Sequence, residues 1–112
     1  MKNNIFATPN LPLTEEIFEP ILNTSGLLIE RIVSMGQITP PNEWYNQDND
    51  EWVMLLQGNA HLLFDNNQGE TLNLIAGDYV LIPKNRKHRV VYTSFEPPCI
   101  WLAIHGNLQP PK

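Results

Sequence analysis

The sequence predicts an all-β domain, built as a small barrel or sandwich. Short runs of β-branched and large apolar residues recur along the chain, turn-forming residues separate them, and no segment has the length and period of a long helix. A length of 112 residues suits one domain, and an apolar share of 42% suits one small core. The chain contains no repeat or low-complexity tract.

The predicted strands are short runs at residues 26–34, 51–57, 60–65, 71–75, 79–82, 89–93 and 100–105. Gly58 and Asn59 join the second run to the third, and residues 66–69 form a turn by composition. Pro83 has no N–H group to give to a ladder, so the run before it ends there. Together these runs predict a barrel at residues 26–106 and a frayed C-terminal tail at 107–112.

Residues 1–25 are predicted to form an irregular N-terminal arm, which contains Pro9, Pro12 and Pro20. Residues 14–18 could form one helical turn with Thr14 as its N-cap, although such a turn is too short to be stable alone. We expect the arm to pack on the barrel or on a second subunit.

The run at 51–57 indicates how the barrel must be covered. Side chains alternate along a strand, so if Glu51 points inward, Val53 and Leu55 do too. Positions 52, 54 and 56, which then point outward, carry tryptophan, methionine and leucine. Because a small barrel cannot bury its own outer face, this pattern predicts a homodimer; the alternative is an arm folded back on its own barrel.

Charge and cysteine content argue against several classes of protein and partner. A net charge of −5 and a pI of about 5.0 provide no overall field to attract nucleic acid or an anionic membrane. Cys99 is the only cysteine, so neither an internal disulfide nor a cysteine-based zinc site can form, and we expect a cytoplasmic location. The first residues lack the apolar stretch of a signal peptide, and no run approaches the ~18 apolar residues of a membrane span.

The stretch from Gly77 to Val90 carries the strongest functional signal. A strand ends at Pro83, a short basic loop follows, and His88 begins the next strand. His88 therefore takes the first inward position of its strand, and we expect its imidazole at the barrel mouth. Tyr92 is in phase with His88, which predicts that its hydroxyl also lines the cavity.

This spacing resembles the second conserved motif of the cupin superfamily. Gly77, Pro83 and His88 match the glycine, proline and histidine of that motif, and Asn85 occupies its second glycine position, where asparagine tolerates a left-handed backbone. The resemblance spans roughly residues 27–104 and implies a small double-stranded β-helix, or jelly-roll, barrel.

The first cupin motif is degenerate in this chain. Glu51 and Gly58 match its glutamate and its last glycine, whereas its paired histidines are absent. Counting back from Glu51, the histidine positions fall on Tyr45 and Gln47 or, with a gap one residue longer, on Trp44 and Asn46.

The resemblance also implies a divalent metal site, because cupins usually hold a metal with three histidines and one glutamate. Glu51 and His88 match two of these ligands, and Gln47 could add its amide oxygen, with water in the open positions. Asp48 is a harder oxygen ligand nearby. The metal would be Mn, Fe, Ni or Zn, and Glu51 or Tyr92 would position a substrate or move a proton.

Several polar residues have more than one interpretation. His88 could be a neutral, hydrogen-bonded imidazole inside the mouth, and Glu51 could be a surface residue. His61 is predicted to point outward. Whether His105 reaches the site is left open by the pattern, as is the choice between residues 30 and 31 for the cavity face of the first long strand.

The sequence thus predicts a small cupin barrel that acts on, or binds, a small polar organic molecule at a metal. The alternative is a non-catalytic small-molecule-binding or sensor barrel without a metal. Basic residues around His88 could steer an anionic ligand, although a solvated basic loop is the more common role for Lys84, Arg86, Lys87 and Arg89. No helix-turn-helix pattern or basic stripe points to nucleic acid.

Overall fold

A computed structural model of the chain describes residues 1–65, 69 and 71–111, and the described part contains no helical residue. Its strands are β1 (Ile17–Thr24), β2 (Leu27–Ser34), β3 (Asp50–Gln57), β4 (Asn59–Phe64), β5 (Thr71–Ile75), β6 (Tyr79–Ile82), β7 (His88–Thr93) and β8 (Cys99–Gly106). Accordingly, no membrane-spanning helix is found within these ranges. Residues 66–68 of the predicted turn, and the last residue of the predicted tail, lie outside the described residues.

The strands form two antiparallel sheets, one with the order β1-β2-β8-β3-β6 and one with the order β5-β4-β7. This arrangement confirms the predicted all-β jelly-roll class. The core lies between the two sheets, where Val53 and Leu55 of β3 meet Ala60, Leu62 and Phe64 of β4. Burying each large apolar side chain contributes about 1.5–3 kcal/mol, so the alternation in these two strands fixes which faces meet.

Strand β1 replaces the helical turn predicted at residues 14–18, and that prediction is wrong. Ile17 and Phe18 pair with Val33 and Ile32 of β2, because a sheet edge satisfies the backbone of a short segment better than an isolated turn does. The sequence did not predict this strand because it contains Pro20, and proline is rare within strands. It is tolerated because β1 is the edge of its sheet, and the register shifts directly after it.

The segment before β1 lies against the outer side of its own five-stranded sheet. Arg31, which points away from the cavity, donates from Nη1 to the carbonyl oxygens of Ile5 and Ala7 at 3.1 and 2.6 Å. Its Nε and Nη2 atoms donate to Oε1 of Glu19 in β1 at 3.1 and 2.6 Å. The arm thus contacts its own barrel, while the homodimer stays a prediction.

Candidate functional site

A small cavity opens between the sheets at one end of the barrel, with a volume of about 70 Å³. Its apolar walls come from the inward faces of both sheets. Its polar groups are clustered, and they are contributed by Glu16, Glu30, Tyr45, Gln47, Glu51, His88 and His105.

Strand register brings Glu51 and His105 side by side. The two residues are direct partners in the β3–β8 ladder, and side chains of paired residues share one face of the sheet. Glu30 of β2 pairs with Ala103, two residues from His105 on the same face of β8. The center of the five-stranded sheet therefore presents two carboxylates and one imidazole to the cavity.

His88 reaches the same cavity from the three-stranded sheet. It is 5% exposed, and its backbone pairs with Tyr45 through hydrogen bonds of 2.8 and 3.1 Å. Asn85 shapes the loop before it with a φ of 63°, and its N–H donates to the carbonyl of Gln47 at 2.8 Å. The left-handed conformation expected for Asn85 is confirmed, and the loop holds residues 45–47 beside His88.

The ring of His88 faces Glu51 with its Nε2 atom. Nδ1 lies 3.0 Å from the carbonyl oxygen of Arg86, and Nε2 lies 3.4 Å from Oε1 of Glu51. A carbonyl oxygen only accepts, so Nδ1 carries a proton and donates it. In the neutral ring Nε2 is then an acceptor facing a carboxylate, and two acceptors at this distance need a proton or a cation between them.

His105 has a different partner. Its Nε2 lies 2.9 Å from Oε1 of Glu30 and 3.9 Å from Oε2 of Glu51. The hydrogen bond with Glu30 is the main cause that raises the pKa of His105 above 6.5, burial opposes it, and the Glu51 charge adds to it. The pair formed by Glu30 and His105 can therefore hold a proton beside Glu51.

The cavity as a whole is rich in acidic groups. Burial raises the pKa of Glu16, and a hydrogen bond from the Ser34 hydroxyl partly offsets this effect. Burial, followed by the charges of Glu16 and Glu51, raises the pKa of Tyr45. Three carboxylates around one small space favour the binding of a cation.

The structure brings Glu51, His88 and Gln47 together at the cavity, as the sequence predicted, and it selects one register for the first motif. Tyr45 and Gln47 line the cavity, whereas Trp44 and Asn46 do not. Asp48 is exposed and does not line it either.

The predicted inward position of Tyr92 is wrong. Its side chain is 43% exposed, it lies outside the cavity lining, and its ring is 4.8 Å from that of His61. A register shift between His61 and Leu62 places an extra β7 residue, Val91, between the pairs of the β4–β7 ladder. That bulge reverses the alternation after Val90, so Tyr92 points outward beside His61.

Sequence reasoning missed Glu16 and left Glu30 and His105 undecided. Glu16 lies just before β1, which the sequence did not reveal. The inward face of β8 could have been assigned from Trp101, because a large aromatic side chain in phase with His105 is most often buried. Trp101 is indeed 3% exposed.

The donor set fits a cation only in part. Among the described residues, no group of three or more histidine, cysteine, aspartate and glutamate side chains is close enough to hold a metal ion. Glu51 and His88 converge on one point, and Gln47 lines the same space. The Nε2 atom of His105 is engaged by Glu30 instead.

Residues 31–105 match the family model for the cupin domain. The chain belongs to the cupin family. This cupin superposes with a TM-score of 0.90 on a crystal structure from Ralstonia eutropha JMP134, named as a candidate mannose-6-phosphate isomerase, at 37% identity over 96% of this chain and 99% of the other.

Two more distant structures share the fold of this cupin. A cupin superfamily protein from Desulfitobacterium hafniense DCB-2 has a TM-score of 0.72 at 15% identity, covering 89% of this chain and 84% of that one. The Fe(II) form of HppE has a TM-score of 0.64 at 10% identity, and the match covers 80% of this chain and 49% of that one. A search of curated proteins finds no match.

Proposed function

We propose that this cupin binds a divalent metal ion at the barrel mouth and binds or acts on a small polar organic molecule there. Glu51 and His88 would hold the ion, and Gln47 would supply its amide oxygen. The observation that carries the proposal is the 3.4 Å approach of His88 Nε2 to Glu51 Oε1, two acceptors that need a positive charge between them.

The surroundings of His88 support this role. A metal-ligating histidine commonly donates its second ring N–H to a backbone carbonyl, which fixes its tautomer and orientation. The contact between Nδ1 of His88 and the Arg86 carbonyl is of this kind, and the Tyr45 ring stacks on the imidazole with ring centroids 5.6 Å apart. The mixed nitrogen and oxygen donors suit Mn, Fe, Ni or Zn.

When bound, such an ion would supply Lewis-acid polarisation of a substrate oxygen. The remaining chemistry belongs to the chain. Glu30 orients His105 and favours its protonated form, so His105 can hold or release a proton next to Glu51. The apolar wall formed by Val53, Leu62 and Trp101 limits the access of water.

Metal titration of wild-type protein by calorimetry with Mn²⁺, Fe²⁺, Ni²⁺ and Zn²⁺ tests the proposal. We expect one ion per chain, and we expect Glu51→Gln and His88→Gln each to weaken binding by about 10-fold to 100-fold or more. His61→Gln, an outward histidine on β4, is the matched control and should bind as the wild type does. Absence of binding for all four ions would overturn the metal site. Wild-type affinity in both the Glu51 and the His88 variants would overturn it too.

A non-catalytic, metal-free binding barrel is the second candidate. It is favoured by the engagement of His105 with Glu30, since the 2.9 Å contact with Glu30 is closer than the 3.9 Å approach of His105 to Glu51 and takes up its Nε2 atom. In this case a small molecule binds equally well before and after treatment with a chelator. Affinity that depends on added metal contradicts it.

We also propose a homodimer and a cytoplasmic location. Strand β1 is one of the two edge strands of the five-stranded sheet, and it exposes Ile21 and Leu22, the latter by 60%. A second copy would cover this edge. Leu22→Lys should then shift the sedimentation coefficient to that of a monomer, whereas Ile75→Lys on β5 should not.

The cytoplasmic location is supported by Cys99, whose buried thiol forms no disulfide, as expected in a reducing compartment.

A further inference from the structure

We infer that the organic ligand of this site is uncharged and rich in hydroxyl groups, and that phosphate esters and other anions are disfavoured. The inference rests on the proposed function, because it concerns the ligand of the same cavity. It follows from a second cavity that adjoins the first and from the charges that line both.

The second cavity is a groove of about 450 Å³ at the same end of the barrel. Glu30, Gln47 and His105 line both the groove and the inner cavity, so these three side chains form a common wall. The inner cavity alone is too small for an organic ligand, whereas the groove falls within the roughly 300–1,000 Å³ of typical ligand sites. A ligand in the groove would thus present one end to Glu51 and His88.

The groove is lined with neutral polar groups. Asn23, Asn49 and Gln47 each offer an amide, and Thr24 offers a hydroxyl. An amide both donates and accepts hydrogen bonds, which is also what each hydroxyl group of a ligand requires. A set of such groups in one groove matches a molecule with several hydroxyls.

Apart from the histidines, the charged groups that line the two cavities are carboxylates, and His105, the histidine common to both cavities, is already bonded to Glu30. Neither cavity is lined by a lysine or an arginine of the described chain, whereas Glu30 lines both. Because like charges at short range repel, an anionic group beside Glu30 is disfavoured.

The basic residues near His88 do not compensate for this negative charge. Arg86 lies over the Phe64 ring, 4.9 Å from its centroid. Arg89 donates to the carbonyl of Thr39 at 3.1 Å and lies 5.7 Å from the ring centroid of Trp44. Lys84 and Lys87 are exposed. The Ralstonia relative is named for a phosphorylated sugar, and the inference separates this chain from that substrate.

Calorimetric titration of metal-loaded full-length protein tests the inference with matched pairs of probes. The pairs are D-mannose, D-fructose, D-glucose and D-ribose, each compared with its terminal monophosphate at constant ionic strength. We expect at least one neutral sugar to bind about tenfold or more tightly than its phosphate ester. Equal or tighter binding of the phosphate esters, or no binding of any neutral sugar, would overturn the inference.

A charge placed in the groove gives a second readout. Asn49→Lys should tighten the binding of the phosphate esters by about tenfold, because it adds the missing cation. Asn73→Lys on the exposed side of β5 controls for the change in net charge and should not have this effect. An unchanged phosphate affinity in Asn49→Lys would count against ligand binding in the groove.

Metal titration of the same samples keeps the two proposals separate. If the protein prefers neutral sugars to their phosphate esters but binds no metal, the metal site alone is overturned. A preference for phosphate esters at a metal-loaded site would overturn the ligand class alone.

Discussion

The imidazole of His88 faces the carboxylate of Glu51 across 3.4 Å, and the contact joins the two sheets at the mouth of the barrel. Glu51 is the second residue of β3 in the five-stranded sheet, and His88 begins β7 in the three-stranded sheet. Both residues are nearly inaccessible, with 8% and 5% of their surface exposed. Two polar groups buried in this way cost free energy unless they are paired, so this geometry requires either a proton or a cation between them.

The tautomer of His88 in metal-free protein is the first prediction. Nδ1 of His88 should carry a proton in metal-free protein, because the Arg86 carbonyl accepts it at 3.0 Å. Long-range proton–nitrogen correlation spectra distinguish the two ring nitrogens directly. His88→Gln identifies the resonances by their absence, and a spectrum in which Nδ1 carries no proton would contradict the assignment.

Local sequence patterns were sufficient to predict most of the strands and half of the site. The alternation in residues 51–57 placed Glu51, Val53 and Leu55 inward, and burial confirms that face. The proline and the left-handed Asn85 placed His88 at the start of its strand. These features depend on chain-local chemistry, which a single sequence reveals.

The remaining features depend on pairing between distant segments. Tyr92 turns outward because of a bulge, and nothing in residues 88–93 distinguishes a bulged strand from a regular one. Pro20 lies in β1 only because that strand is at a sheet edge. The contact of His105 with Glu30 requires the β2–β8 register, which is set by the whole sheet.

Glu30→Gln should lower the pKa of His105, since the hydrogen bond to Glu30 is the largest cause of its increase. A titration of the His105 ring followed by NMR in metal-free protein measures this change. Glu19→Gln is the control, because Glu19 pairs with Arg31 on the outer side of the same sheet. An unchanged His105 titration in Glu30→Gln would contradict the assigned cause.

The same pair predicts the pH dependence of stability. A histidine whose pKa is raised by folding contributes its full stabilisation below its unfolded pKa of about 6.5, and this contribution is lost as the pH rises through the folded value. The difference in the free energy of unfolding between wild type and Glu30→Gln should therefore be larger at about pH 5.5 than at about pH 8.5. Urea unfolding at both pH values checks the sign.

Tyr45 and Tyr92 should differ in their effect on metal binding. Tyr45 stacks on the His88 ring and pairs with its backbone, so Tyr45→Ala should weaken metal binding by about tenfold, as the loss of an orienting partner does. Tyr92→Ala removes an outward ring beside His61 and should leave the affinity within about twofold of the wild type. Calorimetry measures both, and a larger loss in Tyr92→Ala would show that it contributes to the site after all.

Gly58 should be the less replaceable of two glycines with nearly the same backbone conformation. Gly58 and Gly77 have φ values of 93° and 96°. A Cβ on Gly58 would lie 2.7 Å from Oγ of Ser94, 2.9 Å from Sγ of Cys99 and 3.0 Å from Cα of Cys99, whereas a Cβ on Gly77 meets nothing within 4 Å. Left-handed strain alone costs about 1–2 kcal/mol, and overpacking adds about 1–3 kcal/mol.

Gly77→Ala therefore measures the backbone strain, and Gly58→Ala measures strain and overpacking together. Urea unfolding should show a loss of about 1–2 kcal/mol for the first variant and about 3 kcal/mol or more for the second. Cys99→Ala in the Gly58→Ala background removes the close contact with Sγ, so it should recover part of the loss. Equal losses for the two glycine variants would mean that the β3–β4 turn can move away from Cys99, and that its close approach is not required by the fold.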